Sequence, residues 1–156
     1  MLWQSMADFI CDVIADFKRD QAVPDFVSSL DPDGTLSIWY VARLRKLTED
    51  MPSRWVPLDS VNDLDENLWF NTFGEVPTCR AIAEHAKRIY EARLEYPVIL
   101  SPNGEVMDGM HRVAKAWLLG MKAIEVVQLD EIPPPDKVIP RYELAQYAGM
   151  NQGKPE

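Results

Sequence analysis

The sequence predicts a small α/β domain, one mixed β-sheet flanked by helices, with a mostly helical extension in front of it. Three observations carry that reading. Apolar residues recur at three- and four-residue spacing in "CRAIAEHAKRIYEARL" and again from Met110 to Met121, the period of a helix with one buried face. "YPVILS" and "KAIEVVQL" are apolar runs of strand length. Between the first run and the second helix lies "PNGEV", whose Asn103-Gly104 pair is of the type that joins two hairpin strands. The boundaries that follow are an extension over 1–53, a core over 54–132 and a proline-led tail over 133–156. With 156 residues the chain fits one ordinary domain.

Taken in order, the first element is a helix with Leu2, Met6, Phe9, Ile10, Val13 and Phe17 on one face and Asp8, Asp12 and Asp16 on the wet side. "LDPDGT" at 30–35 is a turn. "LSIWYVARLRKLTED" alternates like a strand at Leu36, Ile38, Tyr40, Ala42 and Leu44, yet its later residues are strong helix formers, and a helix is the preferred reading. "WVPLDSV" is a short strand ending near Pro57 and Asp59. In the next helix Thr78 caps the start, Ile82, Ala86 and Ile89 line the inner face, and Pro97 stops any continuation. "EVMDG" returns as a strand to Gly109. After it Met110, Val113, Ala114, Trp117 and Met121 mark the inner face of a helix running up to Gly120, and "KAIEVVQL" closes the unit as a strand. "IPPPD" is an extended exit.

Bulk properties exclude several functions. A mean hydropathy of -0.22 and the lack of a long apolar run are at odds with a membrane-spanning protein. The N-terminus has neither the basic start nor the apolar centre of a secretory signal, and only two cysteines are present, so a cytoplasmic location is expected. A net charge of -9 opposes nonspecific DNA binding, which rests on lysine and arginine neutralising phosphates. The longest basic cluster, "RLRKL" at 43–47, reads as the solvated flank of a buried element.

The chemistry concentrates in "VMDGMHR", residues 106–112. It falls where a strand turns into a helix, so the amides of Gly109, Met110 and His111 are candidates to point out of the first turn. The helix dipole favours negative charge there, Gly109 lets backbone approach a ligand closely, and Arg112 offers a planar fork matched to phosphate oxygens. His111 adds a donor, and Lys115, one turn on, adds charge on the same side. Asp108 is read either as a helix cap or as the holder of a magnesium ion brought by a nucleotide. Each of these residues taken singly has an ordinary structural use; their combination favours a phosphate site.

These residues also resemble a known family. "YPVILSPNGEVMDGMHRVAKAWLLGMKAIEVVQL", with the upstream helix and "WVPLDSV", is similar to the ParB/sulfiredoxin-like domain over roughly residues 54 to 130. Its signature is an apolar strand, a short hairpin, then DGxHR opening a helix that ends in glycine. The resemblance implies that the turn binds nucleotide phosphates, with ATP, ADP or CTP as the ligand and magnesium with it, and that His111 and Arg112 contact them. Sulfiredoxins carry their catalytic cysteine immediately before His-Arg, where this chain has Met110, so thiol chemistry is not implied. Free-serine kinases of the superfamily use an acid just after the first strand as catalytic base, and Asp59 occupies a comparable place.

The expectation is therefore a nucleotide-phosphate-binding domain, with magnesium-dependent phosphoryl transfer to a small acceptor, or nucleotide hydrolysis, as the chemistry that Asp59 and His111 would serve. A non-catalytic nucleotide-sensing or interaction module is the alternative. A nuclease or a DNA-partitioning role is disfavoured by the charge. The first fifty residues are a candidate cover for the site or a candidate contact in a homodimer. His85 is read as a packed histidine, and Trp69, Phe70 and Phe73 as core aromatics.

Overall fold

The computed structural model describes residues 25–70 and 76–143. The expected first helix and Phe73 lie outside the described residues. The structure is mixed α and β, as expected, but the described residues form two sheets where one was predicted, in two compact units.

The smaller unit is an antiparallel three-stranded sheet in the order β1, β2, β7, with β1 at Phe26–Leu30, β2 at Leu36–Tyr40 and β7 at Lys137–Ile139. Its hairpin turns through Gly34, where the Gly34 amide donates to the Asp31 carbonyl at 2.8 Å. One expectation is corrected here. The alternation of Leu36, Ile38 and Tyr40 is a strand, and the helix begins only at Val41. The proline-led tail supplies β7, whose Ile139 pairs with Leu36. The β1–β2 hairpin is local, but β2 finds its other neighbour, β7, about a hundred residues away in sequence, which local pattern does not encode.

The larger unit carries the motif. It opens with α1, Val41–Thr48, whose Leu44 is fully buried. Its sheet has the order β3, β6, β4, β5, made of β3 at Arg54–Pro57, β4 at Val98–Leu100, β5 at Val106–Asp108 and β6 at Ala123–Gln128. β3 and β6 are antiparallel, β4 and β6 are parallel, and β4 and β5 form the hairpin predicted at Asn103-Gly104. Gly104 there has φ +86, the left-handed conformation the turn demands. Two short 3-10 turns, Leu58–Ser60 and Asn62–Asp65, follow β3.

Helix α2 runs Cys79–Glu91 and starts where expected, with the Thr78 hydroxyl accepting a hydrogen bond from the Ala81 amide. Its inner face differs from the expected one. Ala81, His85 and Ile89 are the partly covered residues, at strict four-residue spacing, while Ile82 and Ala86 are exposed. Helix α3, Met110–Leu118, is the crossover between parallel β4 and β6, and Gly120 at φ +70 ends it.

The core of this unit is Val56, Leu58, Val61, Val98, Leu100, Val113, Ala116, Ile124 and Val126, with Met110, Val106 and Met121 packed at its edge. Trp117, expected in that core, is 60 % exposed, and Ala116 is the buried residue instead. A small side chain at 116 fits a helix lying close on a sheet of valines and isoleucines, where an indole has no room. No helix among the described residues is long and apolar enough to cross a membrane.

Candidate functional site

The site is built by the end of β5. Strand pairing with β4 slips by one residue between Ile99 and Leu100, and Asp108 stands opposite Ile99 as the last strand residue. Gly109 then takes φ +114, ψ 17 and turns the chain into α3. Its carbonyl accepts from the amides of both Arg112, at 2.8 Å, and Val113, at 3.0 Å. A residue with a Cβ adopts this backbone only at a cost, so the glycine is required by conformation before any ligand is considered.

Arg112 does not extend into solvent. Its side chain folds back over Gly109, is only 8 % exposed, and donates through Nη2 to Asp108 Oδ2 at 2.9 Å. A Cβ on residue 109 would stand 2.6 Å from Arg112 Nη2 and 2.8 Å from Nε. The missing side chain of Gly109 is thus the space in which the guanidinium lies. Arg112 Nε is buried and has no hydrogen-bond partner, an uncommon state for a charged donor removed from water.

Asp108 does not cap the helix, as one reading had it. The cap position of α3 belongs to Gly109, with no side-chain cap bond, and Asp108 instead receives two guanidinium groups on one oxygen. The second is Arg45 of α1, whose Nε lies 3.2 Å from Oδ2. Arg45 sits in the "RLRKL" cluster read as a solvated flank; it is 58 % exposed, yet its head is fixed to the motif.

His111 meets His85, and these are the only two histidines in the chain. His111 Nε2 lies 2.9 Å from His85 Nδ1, and the rings are stacked, 5.2 Å between centroids and 13° from parallel. One of the facing nitrogens therefore donates and the other accepts. Burial, followed by the charges of His85 and Arg88, pushes the His111 imidazole down to about 4, against a smaller upward pull from Asp108. His111 is uncharged at neutral pH.

The remaining candidates fall into other settings. Lys115 donates from Nζ to the carbonyls of Tyr90, at 2.7 Å, and Ala92, at 2.6 Å, and so ties the end of α2 to α3. Its ammonium satisfies helix-terminal acceptors, where a cation is favoured by the dipole. Asp59 is exposed in the first 3-10 turn. Among the described residues no hydrogen bond or ion pair joins it to the Asp108–Arg112 turn. Met110 packs against the core. Trp69 and Phe70 are partly buried. Among the described residues no group of three or more histidine, cysteine or acidic side chains is placed to hold a metal ion.

Three participants escaped the sequence: Arg45, Arg88 and the pairing of His85 with His111. Asp63 is a fourth, since its carboxylate accepts from the Val106 amide and fixes the start of β5. The rarity of histidine was the one available signal for the pair. The other contacts join segments separated by 43 and 63 residues, which no local spacing reveals.

No protein-family model matches the chain, and no curated protein matches it. Among solved structures it is similar to a Pnob8-like ParB-N domain, at 18 % identity, over 53 % of this chain and 31 % of that one, with a TM-score of 0.34. This chain thus spans about a third of the solved one.

Proposed function

We propose that the start of α3 binds the phosphate groups of a nucleotide. The observation that supports this best is a local excess of cationic groups in a chain of net charge -9. Arg45 and Arg112 meet at one helix N-terminus, with the neutral His111 and its partner His85 beside them, and Arg88 is close enough to bear on His111. Helix dipole, exposed Arg45 and the unpartnered Nε of Arg112 all favour an anion at that place. Asp108 supplies one carboxylate against this excess, and its pairing with two guanidinium groups offsets it.

Magnesium enters this reading with the nucleotide, held by the phosphates; Asp108 Oδ2 is already engaged by Arg45 and Arg112. Binding comes before turnover in the proposal. Phosphoryl transfer to a small acceptor, or hydrolysis, is the chemistry Asp59 would serve as base, and a turnover assay on wild type and Asp59→Asn separates an enzyme from a sensing module.

The binding test is thermal unfolding of wild type and of His111→Ala/Arg112→Ala with ATP, ADP, CTP and GTP, with and without magnesium. Ligand at about a hundredfold its dissociation constant stabilises the native state by roughly 2.7 kcal/mol. A shift with one nucleotide that the double variant lacks supports the site. A folded wild-type protein that shifts with none of them overturns it.

A further inference from the structure

The contact between His85 and His111 has a simple proton count. With both rings neutral, one hydrogen lies between the facing nitrogens, 2.9 Å apart. A first added proton goes to an outer nitrogen and leaves that hydrogen bond in place, now charge-assisted and stronger. A second added proton sets N–H against N–H and breaks the contact. The stacked pair is therefore built to hold either no charge or one.

We infer that the His85–His111 pair takes up one proton when a doubly charged phosphate enters the α3 N-terminus, so that the site is selective for a dianionic terminal phosphate over a singly charged diester. The inference rests on the proposed phosphate site and adds its regulation and ligand class. Without ligand, a proton on His111 faces Arg88 of α2 as a like charge, while Asp108 of β5 pulls the other way by less. The 3-10 turn packed against α3 carries Asp63 and Asp65, and Asp63 is engaged with the Val106 amide. Arg112 is paired with Asp108, Lys115 with the carbonyls of α2. A dianion reverses that balance by bringing two negative charges to groups that hold a proton poorly on their own. A monoanion brings half as much. The uptake makes and breaks no bond other than N–H, and its proton comes from solvent.

Low proton affinity in the empty site is consistent with the depressed imidazole of His111. By linkage, a group that binds its proton more tightly in the complex strengthens ligand binding as pH falls below its value in the complex, and the gain levels off below its value in the free protein.

Sulfate is the probe, because it stays a dianion across the whole pH range, and methyl sulfate is the monoanionic control. The untagged chain has two imidazole Cε1–H resonances, assigned with His85→Gln, and both are followed by NMR during titration with each anion at pH 7.5, 6 and 5. The expected result is roughly tenfold tighter sulfate binding at pH 5 than at pH 7.5, little pH dependence for methyl sulfate, and loss of the dependence in His85→Gln. Sulfate-induced downfield movement of a histidine resonance toward its protonated position at pH 6 is the direct sign of uptake. Sulfate binding that is independent of pH, or that persists with full pH dependence in His85→Gln, overturns the inference and leaves the phosphate site standing. Absence of sulfate binding at every pH, together with no thermal shift by any nucleotide, overturns both.

Discussion

The guanidinium of Arg112 occupies the volume that a side chain on Gly109 would fill, with Nη2 2.6 Å and Nε 2.8 Å from the position of a Cβ there. Backbone conformation and packing therefore demand glycine for two separate reasons. Gly109→Ala must place a Cβ at φ +114 and displace a buried cation from its bond to Asp108. The left-handed backbone alone costs roughly 1–2 kcal/mol for a residue with a Cβ. Displacing the guanidinium adds to that, so urea denaturation of Gly109→Ala should show a loss of more than about 2 kcal/mol. The same substitution at Gly104, which has open space around it, should cost only the backbone share.

Asp108 allows one acceptor to be compared with two donors of different burial. Arg45 reaches Oδ2 from a side chain that is 58 % exposed, and Arg112 reaches the same atom from one that is 8 % exposed. Exposed pairs contribute about 0–1 kcal/mol. Losing one partner of a buried pair costs about 3–5 kcal/mol, because the other charge is left without compensation. Arg45→Ala should therefore change stability by under about 1 kcal/mol and Asp108→Ala by several times as much. A double-mutant cycle between Asp108 and Arg112 measures the coupling; a cycle giving no coupling would show that the buried guanidinium is held by packing alone.

How much of this was legible in the sequence depends on the range of each interaction. Thr78 as a cap, the Asn103-Gly104 hairpin and the strand at 98–100 were readable because each is decided within a few residues. The second sheet was not, since β2 meets β7 only through the fold. At the site, "DGMHR" announced a special turn correctly, but the roles within it were assigned as if each side chain faced solvent. Burial rearranged them: Arg112 turned inward to Asp108, Lys115 went to the carbonyls of α2, and His111 found the other histidine.

The depressed imidazole of His111 gives stability a defined pH dependence. Its folded value of about 4 lies below the ordinary 6.5, so between those limits the unfolded chain holds more protons than the native one. The stabilisation is complete above pH 6.5, falls as pH drops through the window, and is lost near pH 4. The loss is on the order of 1–3 kcal/mol, toward the lower end for a ring that is only partly buried. Denaturation midpoints from pH 7.5 to 4.5 for wild type and His111→Gln check this. The variant should lose less stability over the window than wild type, and equal slopes would mean that His111 titrates normally in the folded protein.

Trp117 and Ala116 offer the sharpest contrast between pattern and packing. Spacing placed Trp117 on the inner face of α3, yet the indole is 60 % exposed and the methyl of Ala116 is fully buried against the sheet. An exposed position tolerates truncation, so Trp117→Ala should move the denaturation midpoint by no more than about 0.5 kcal/mol. Extra methylenes in a close-packed core force neighbours off their rotamers, so Ala116→Leu should cost roughly 1–3 kcal/mol although leucine is the better match to an apolar helix face. Indole fluorescence adds a second readout for the same placement. Trp3, Trp39, Trp55 and Trp69 also emit, so the spectrum of Trp117→Ala subtracted from that of wild type isolates the position. A red-shifted, quencher-accessible difference spectrum agrees with the exposed indole, and a blue-shifted one together with a large stability loss would put Trp117 back in the core.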